Sequence, residues 1–196
     1  MQPRTKGDRV MVKDRVWVYM VVDLDRCWGC KACEVACKQE LGLGTGFSPM
    51  KVVNVGPREI EGRLHRDFVP TMCQHCEQAL CIEICPADAI FRGTDGTVLL
   101  DSSLCIGCGL CKSECPYGFI GMDSQERAIK CTLCADRRKE GRMPSCVQHC
   151  PGRALTLVCE NELQGVIESR HHWSSGSIVY VSDKWVSLGK RMENGK

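Results

Sequence analysis

Sixteen of the 17 cysteines in this 196-residue chain fall into four groups of four. Thiolates at that density are ligands for zinc or for iron–sulfur clusters. The first group is Cys27, Cys30, Cys33 and Cys37, in CWGCKACEVAC. The second is Cys73, Cys76, Cys81 and Cys85, in CQHCEQALCIEICP, with four residues instead of two in its central gap. Cys105, Cys108, Cys111 and Cys115 form the third, in CIGCGLCKSECP. The fourth, Cys131, Cys134, Cys146 and Cys150, opens its central gap to eleven residues within CTLC and SCVQHCP.

About nine cysteines per hundred residues accompany only 45 Leu, Ile, Val and Phe residues, near the floor for a chain that must build an ordinary core. Disulfides or metals must staple the fold. The opening MQPRTKGDRVMVKDRVW holds no apolar leader, small-residue cleavage site or twin-arginine pair, so the expectation is a cytoplasmic chain whose cysteines serve metals. The longest apolar stretches, such as Val16 to Val22, are far too short to span a bilayer. A net charge of +2, from 26 basic and 24 acidic residues, argues neither for nucleic acid nor for an acidic surface. The basic clusters Arg137-Arg138-Lys139 and Arg4, Lys6, Arg9 and Lys13 read as solvated faces.

The first and third groups follow Cys-x2-Cys-x2-Cys-x3-Cys, the bacterial ferredoxin run. A loop wrapped this tightly lets three successive thiolates meet three iron corners of one cube, while the fourth, at the start of a helix, points away to a different cluster. Such groups come in pairs that exchange their last cysteine, so four groups imply two pairs and four 4Fe-4S clusters. Zinc needs knuckles in pairs that close four thiolates on one ion, and has no use for a third cysteine at x2 and a fourth at x3. A structural zinc protein is the alternative.

Gly29 and Gly107 precede the second cysteine of their groups, where a side chain would crowd the cube and glycine lets the backbone turn an N–H toward sulfur. Pro86, Pro116 and Pro151 follow a last cysteine and end the cluster loop. His75 and His149 each precede a cysteine and are placed to donate a hydrogen bond to cluster sulfur rather than to ligate. Lys31, Lys112 and Lys130 adjoin cysteines, where positive charge raises cluster potential if it is not simply solvated. Cys159 lies outside the groups and reads as a small buried hydrophobe.

With four cysteines in every group no open iron is implied, and Gly42-Leu43-Gly44-Thr45-Gly46 lacks the spacing of a dinucleotide loop. No catalytic constellation is present in the sequence, and the expectation is a non-catalytic electron-transfer chain. Four saturated clusters in under two hundred residues lie close enough for electrons to step between them. Each oxidised cluster with its thiolates carries about −2, so backbone N–H groups and lysines must hold a loaded protein near −6.

These groups need short elements to carry them. Val16 to Asp23 and Thr97 to Asp101 read as strands entering cluster loops, and the segments AIFR and RALTLV after Cys-Pro read as strands leaving them. The order strand, cysteine run, short helix, cysteine run, strand appears twice, at about 16–92 and 97–158. The expected fold class is α+β, a duplicated bacterial-ferredoxin-like fold. Residues 41–69 open Gly- and Pro-rich and become strand-like at MKVVNVG, to pack a small sheet or reach a partner. After Cys159 come a helix at Asn161 to Ser169 and a strand at Ser177 to Val181. The division is therefore a tail, 1–15, a four-cluster domain, 16–158, and an extension, 159–196, for docking or capping.

The order and spacing of the groups, the opening VPTMCQHC, the run CIGCGLCKSECPYG, the segment KCTLCADRR and the ending PSCVQHCPGRAL resemble one family. It is that of the four-cluster, ferredoxin-like electron-transfer subunits of molybdenum and tungsten oxidoreductases. These serve dimethyl sulfoxide, polysulfide and thiosulfate reductases and formate dehydrogenases, and similar polyferredoxin subunits serve tungsten aldehyde oxidoreductases. The resemblance covers about 16–158. It implies one cluster on Cys27, Cys30, Cys33 and Cys150, and a second on Cys37, Cys131, Cys134 and Cys146. A third would take Cys73, Cys76, Cys81 and Cys115, and a fourth Cys85, Cys105, Cys108 and Cys111. Some relatives carry Trp for a cysteine of the third group and hold a 3Fe-4S cluster, whereas Cys108 and its neighbours are intact here. The resemblance further implies a hetero-oligomer with a large molybdenum- or tungsten-containing subunit, and a flavin subunit, a ferredoxin or a membrane quinone subunit as second partner. Some relatives are exported folded on a signal-bearing partner, the alternative to the cytoplasm. A free-standing polyferredoxin is the alternative without a dedicated enzyme.

Overall fold

The computed structural model describes residues 17–60 and 62–184. The expectations for residues 1–15, including the basic residues from Arg4 to Lys13, lie outside them. In chain order the elements are β1 Val18–Asp23, α1 Ala32–Glu40, β2 Met50–Ile60, β3 Arg63–Met72, α2 Leu80–Glu83, β4 Ile90–Arg92, β5 Val98–Leu100, α3 Leu110–Ser113, β6 Ile120–Met122 and β7 Ala128–Lys130. They continue with α4 Ala135–Lys139, α5 Ser145–Gln148, β8 Leu155–Cys159, α6 Glu160–Ile167, β9 His171–Ser175 and β10 Ile178–Ser182. The fold is mixed α and β, built of short helices and strands. No helix among the described residues is long and apolar enough to cross a membrane.

Val- and Met-rich β1 is β-branched enough to favour a strand and apolar enough to be a central one. Its neighbours are remote in sequence: the sheet order is β8-β1-β10-β9, with β1 antiparallel to β8 and parallel to β10. Strand alternation sends Met20 and Val22 to one face, where they pack with Met50, Met72, Leu133, Leu155 and Ile178. Val21 points to the other face with Val158, Val179 and Val181, against Leu163, Val166 and Ile167 of α6. Residues 159–182 are thus part of this sheet and its cover. Cys159 occupies the N-cap of α6, where the Glu162 carboxylate accepts its N–H at 2.9 Å.

Strand pairing also decides which cysteine groups meet. Register Val22↔Leu155, extended by the Asp23 N–H donating to the Ala154 carbonyl at 2.8 Å, lays the loop after β1 beside the loop before β8. That juxtaposes the first group with the end of the fourth. In the other half, β4 pairs with β5 and the Asp101 N–H donates to the Ala89 carbonyl at 2.8 Å, which lays the end of the second group beside the start of the third. This half has its own core of Ala79, Ile90, Val98, Cys111, Ile120 and Ala128.

Residues 41–69 contribute the hairpin β2–β3, which closes over the first cysteine loop. Phe68 lies against Gly29, and the Val52 N–H donates to Glu34 Oε1 at 2.6 Å. The basic cluster on α4 departs from the solvated face read from sequence. Arg137 is buried, bonded to Glu40 at 2.9 Å and to the Met143 carbonyl at 2.9 Å. Arg138 reaches Asp95 at 2.5 Å and Thr97 at 3.2 Å, joining the two halves. Only Lys139 is exposed, paired with Asp136. Arg137 and Arg138 are recruited inward by acceptors remote in sequence, so the triplet alone does not reveal their burial.

Candidate iron–sulfur sites

In all four groups the residue before the second cysteine has a left-handed backbone: Gly29 at φ 75°, His75 at 48°, Gly107 at 73° and Leu133 at 49°. Glycine adopts this conformation without penalty. Its space is also needed at Gly29, where a Cβ would lie 2.3 Å from the Phe68 ring, and at Gly107, where it would lie 2.6 Å from the Glu126 carbonyl. At His75 and Leu133 the same turn stores about 1–3 kcal/mol each, a strain that clusters at functional sites. The turn aims backbone N–H groups at sulfur: Leu133 donates to Cys131 Sγ at 3.4 Å. Ala128 donates to Cys105 Sγ at 3.3 Å and Ala154 to Cys150 Sγ at 3.2 Å.

The thiols assemble into four sets. Cys27, Cys30, Cys33 and Cys150 line one hollow of about 320 Å³, closed on one side by Val52 and Pro70 of the hairpin. Burial, and then the neighbouring Cys27 and Cys150, push the Cys33 thiol up to about 12. Cys73, Cys76, Cys81 and Cys115 line a second hollow of about 460 Å³, and Cys85, Cys105, Cys108 and Cys111 a third of about 330 Å³. Cys37 and Cys146 lie in the main core with Cys131 packed against them, and Cys134 is close by. Burial raises Cys146 well above an ordinary thiol, and Cys131, Cys134 and Cys37 add to it. All 17 cysteines are free thiols, and only Cys30 and Cys108 are exposed.

The sets adjoin in series. Cys33 of the first set acts on Cys37 and Cys146. Cys131, pushed up to about 12, feels burial first and Cys73 of the next set second. The last two sets share one apolar core.

The polar residues flanking the cysteines separate by burial. His149 is exposed and its Nδ1 donates to the Ser145 carbonyl at 2.9 Å, which turns that nitrogen to its own helix rather than to sulfur. His75 is buried, lines the 460 Å³ hollow, and accepts the Val98 N–H at Nδ1 at 3.0 Å. Its proton therefore sits on Nε2, which has no hydrogen-bond partner among the described residues. Burial, followed by the nearby Lys130, Arg138 and Arg92, holds His75 well below the usual imidazole range, so it is neutral. Lys31 and Lys112 are exposed, whereas Lys130 is buried.

The donor set fits cubane clusters. Among the described residues no group of three or more His, Cys, Asp or Glu side chains converges on a single metal ion. Zinc would take four thiolates at about 2.3 Å from one ion, whereas a cubane spreads four thiolates around a larger body. Free thiols facing a shared hollow, with backbone N–H groups aimed at sulfur, suit that body.

Comparison with known proteins agrees. Residues 64–160 and 26–89 each match a family described as a 4Fe-4S dicluster domain. The chain is 41% identical over 150 residues to the thiosulfate reductase electron transfer subunit of Salmonella typhi, covering 74% of this chain and 78% of that one. It is 36% identical over 151 residues to a component of the anaerobic dimethyl sulfoxide reductase of Escherichia coli, covering 73% and 74%. A component of the tetrathionate reductase of Salmonella typhimurium is 37% identical over 145 residues, covering 70% of this chain and 56% of that one. The chain belongs to the family of iron–sulfur electron-transfer subunits of reductase complexes, a non-catalytic subunit that carries four 4Fe-4S clusters and works beside a catalytic partner.

Proposed function

We propose that this subunit conducts electrons along the four thiol sets in the order in which they adjoin, between a molybdenum- or tungsten-containing catalytic subunit and a second redox partner. The ligands would be Cys27, Cys30, Cys33 and Cys150, then Cys37, Cys131, Cys134 and Cys146, then Cys73, Cys76, Cys81 and Cys115, and last Cys85, Cys105, Cys108 and Cys111. On this reading the fold is a duplicated ferredoxin-like one, with each half defined by a pair of sets. The observation that carries the proposal is that the two exposed cysteines, Cys30 and Cys108, fall in the first and last sets of the series. Electrons can then enter and leave at the two ends. Trp28 and Ile106, exposed beside these cysteines, offer apolar contact to a partner at each end.

A 4Fe-4S cluster supplies reversible one-electron storage at a potential set by charge, hydrogen bonds and exposure. The chain supplies the rest. Its loops fix the thiolates and its N–H groups offset their charge. His75 Nε2–H, the buried donor without a partner, is available to sulfur of the third set. In the His75→Leu variant we expect the reduction equilibrium of one cluster to fall several-fold, read by electron paramagnetic resonance (EPR) in a redox titration, with iron content unchanged.

The deciding experiment is metal and sulfide analysis of the anaerobically purified complex. About sixteen irons and sixteen sulfides per chain are expected, with a large molybdenum- or tungsten-containing subunit alongside. Zinc with little iron would sink the electron-transfer reading. Full iron with no co-purifying subunit would favour a free-standing carrier.

A further inference from the structure

Lys130 ends β7 directly before Cys131, and its side chain is 1% exposed. Its ammonium donates to two backbone carbonyls, Val98 O and, at 2.7 Å, Cys131 O. Cys131 belongs to the second thiol set, while Val98 lines the hollow of the third. The ammonium therefore bridges the junction between the two halves of the series. Its nearness is felt on both sides, since it draws down the thiols of Cys81 in the third set and Cys131 in the second.

No carboxylate among the described residues pairs with Lys130. The contrast with Arg138 is direct: that guanidinium joins the halves too, but Asp95 balances it. A buried ammonium held only by carbonyls is poorly compensated. Two clusters with their thiolates, each about −2 when oxidised, supply the missing countercharge from both sides.

We propose that Lys130 is the internal counter-cation of the second and third clusters, holding both at a higher potential than the bare loops would and easing electron passage between the halves. The inference rests on the cluster assignment above. An electron arriving on either cluster deepens the negative charge next to a fixed positive one. The reduced form is favoured over the oxidised form on both sides of the lysine, while the first and last clusters, farther along the series, feel it less. The transfer remains a one-electron exchange between neighbouring clusters.

The test compares Lys130→Met with Lys130→Arg in the intact complex by EPR-monitored redox titration. A soluble paramagnetic relaxant distinguishes the exposed end clusters from the two middle ones. With about sixteen irons retained, Lys130→Met should lower the reduction equilibrium of the two middle clusters at least tenfold, about 59 mV for a one-electron couple. Lys130→Arg should leave them near wild type. If Lys130→Met loses the middle clusters while Lys130→Arg keeps them, the charge requirement stands. Unchanged middle potentials in a fully loaded Lys130→Met variant would overturn the proposal. A shift confined to the end clusters, or equal damage from both substitutions, would do the same. A wild-type complex without four clusters would instead remove the assignment beneath it.

Discussion

The Cys146→Ala variant is expected to lose one whole cluster from the interior of the series, with iron falling from about sixteen to about twelve per chain. The same substitution four residues later, Cys150→Ala, should lose a different cluster, at the exposed end. Both residues belong to the fourth cysteine group, but the ferredoxin pattern sends only its last cysteine, Cys150, to a different cluster. Their placement in the fold agrees. Cys146, on α5, lies in the main core, near Cys37, Cys131 and Cys134. Cys150 lies past the end of that helix in the hollow of Cys27, Cys30 and Cys33. EPR with a soluble relaxant separates the outcomes, because the cluster lost from Cys150→Ala is one of the two with an exposed cysteine and the cluster lost from Cys146→Ala is not. Loss of the same cluster from both variants would refute crosswise ligation. Cys146→Ala should also lower stability more, since its empty set lies in the core while the Cys150 set borders solvent. The buried thiols left behind stay protonated, because Cys131 is pushed up to about 12 and Cys37 is raised further, by burial first.

Removing β9 and β10 by ending the chain at Arg170 is expected to abolish the folded state, clusters included. Ile178 and Val181 are 0% exposed, and Val179 and Tyr180 are buried with them. At about 1.5–3 kcal/mol for each fully buried side chain, the four represent roughly 6–12 kcal/mol, comparable with the whole stability of a typical domain. The loss is compounded on β1, whose ladder with β10 runs from Met20↔Ile178 to Asp23↔Val181. It also reaches the cluster loops, because the Ser177 N–H donates to the Gln74 carbonyl at 2.8 Å, within the second cysteine group. Gly176 passes so near that a Cβ there would meet the same carbonyl at 2.1 Å. A milder variant, Ile178→Ala, should cost about 2–5 kcal/mol and keep all four clusters, measured by anaerobic denaturant unfolding followed at the cluster absorbance. A soluble truncated protein with full iron would show that β9–β10 is dispensable.

Much of the cluster chemistry was legible because it is local. Three cysteines at x2 spacing wrap one loop within seven residues, so their type and number carry the ligand chemistry whatever the rest of the chain does. Gly29 and Gly107 announced the left-handed turn, but the second and fourth groups make the same turn with His75 and Leu133, which carry no such signal. Strands were legible where Val, Leu and other strand-favouring residues cluster, at β1, β5 and β8.

The sequence by itself determined the ligand inventory, the four-cluster content and the sites of the short strands, each a property of a dozen neighbouring residues. Tertiary structure decided what depends on partners far along the chain. It placed β1 between β8 and β10, so that the last segment became an inner strand of the main sheet. It turned Arg137 and Arg138 inward, toward Glu40 and Asp95. Lys31, Lys112 and Lys130 look alike in the sequence, each beside a cysteine, and only Lys130 was buried. Burial and charge pairing are set by which surfaces meet, and no spacing within a loop encodes that.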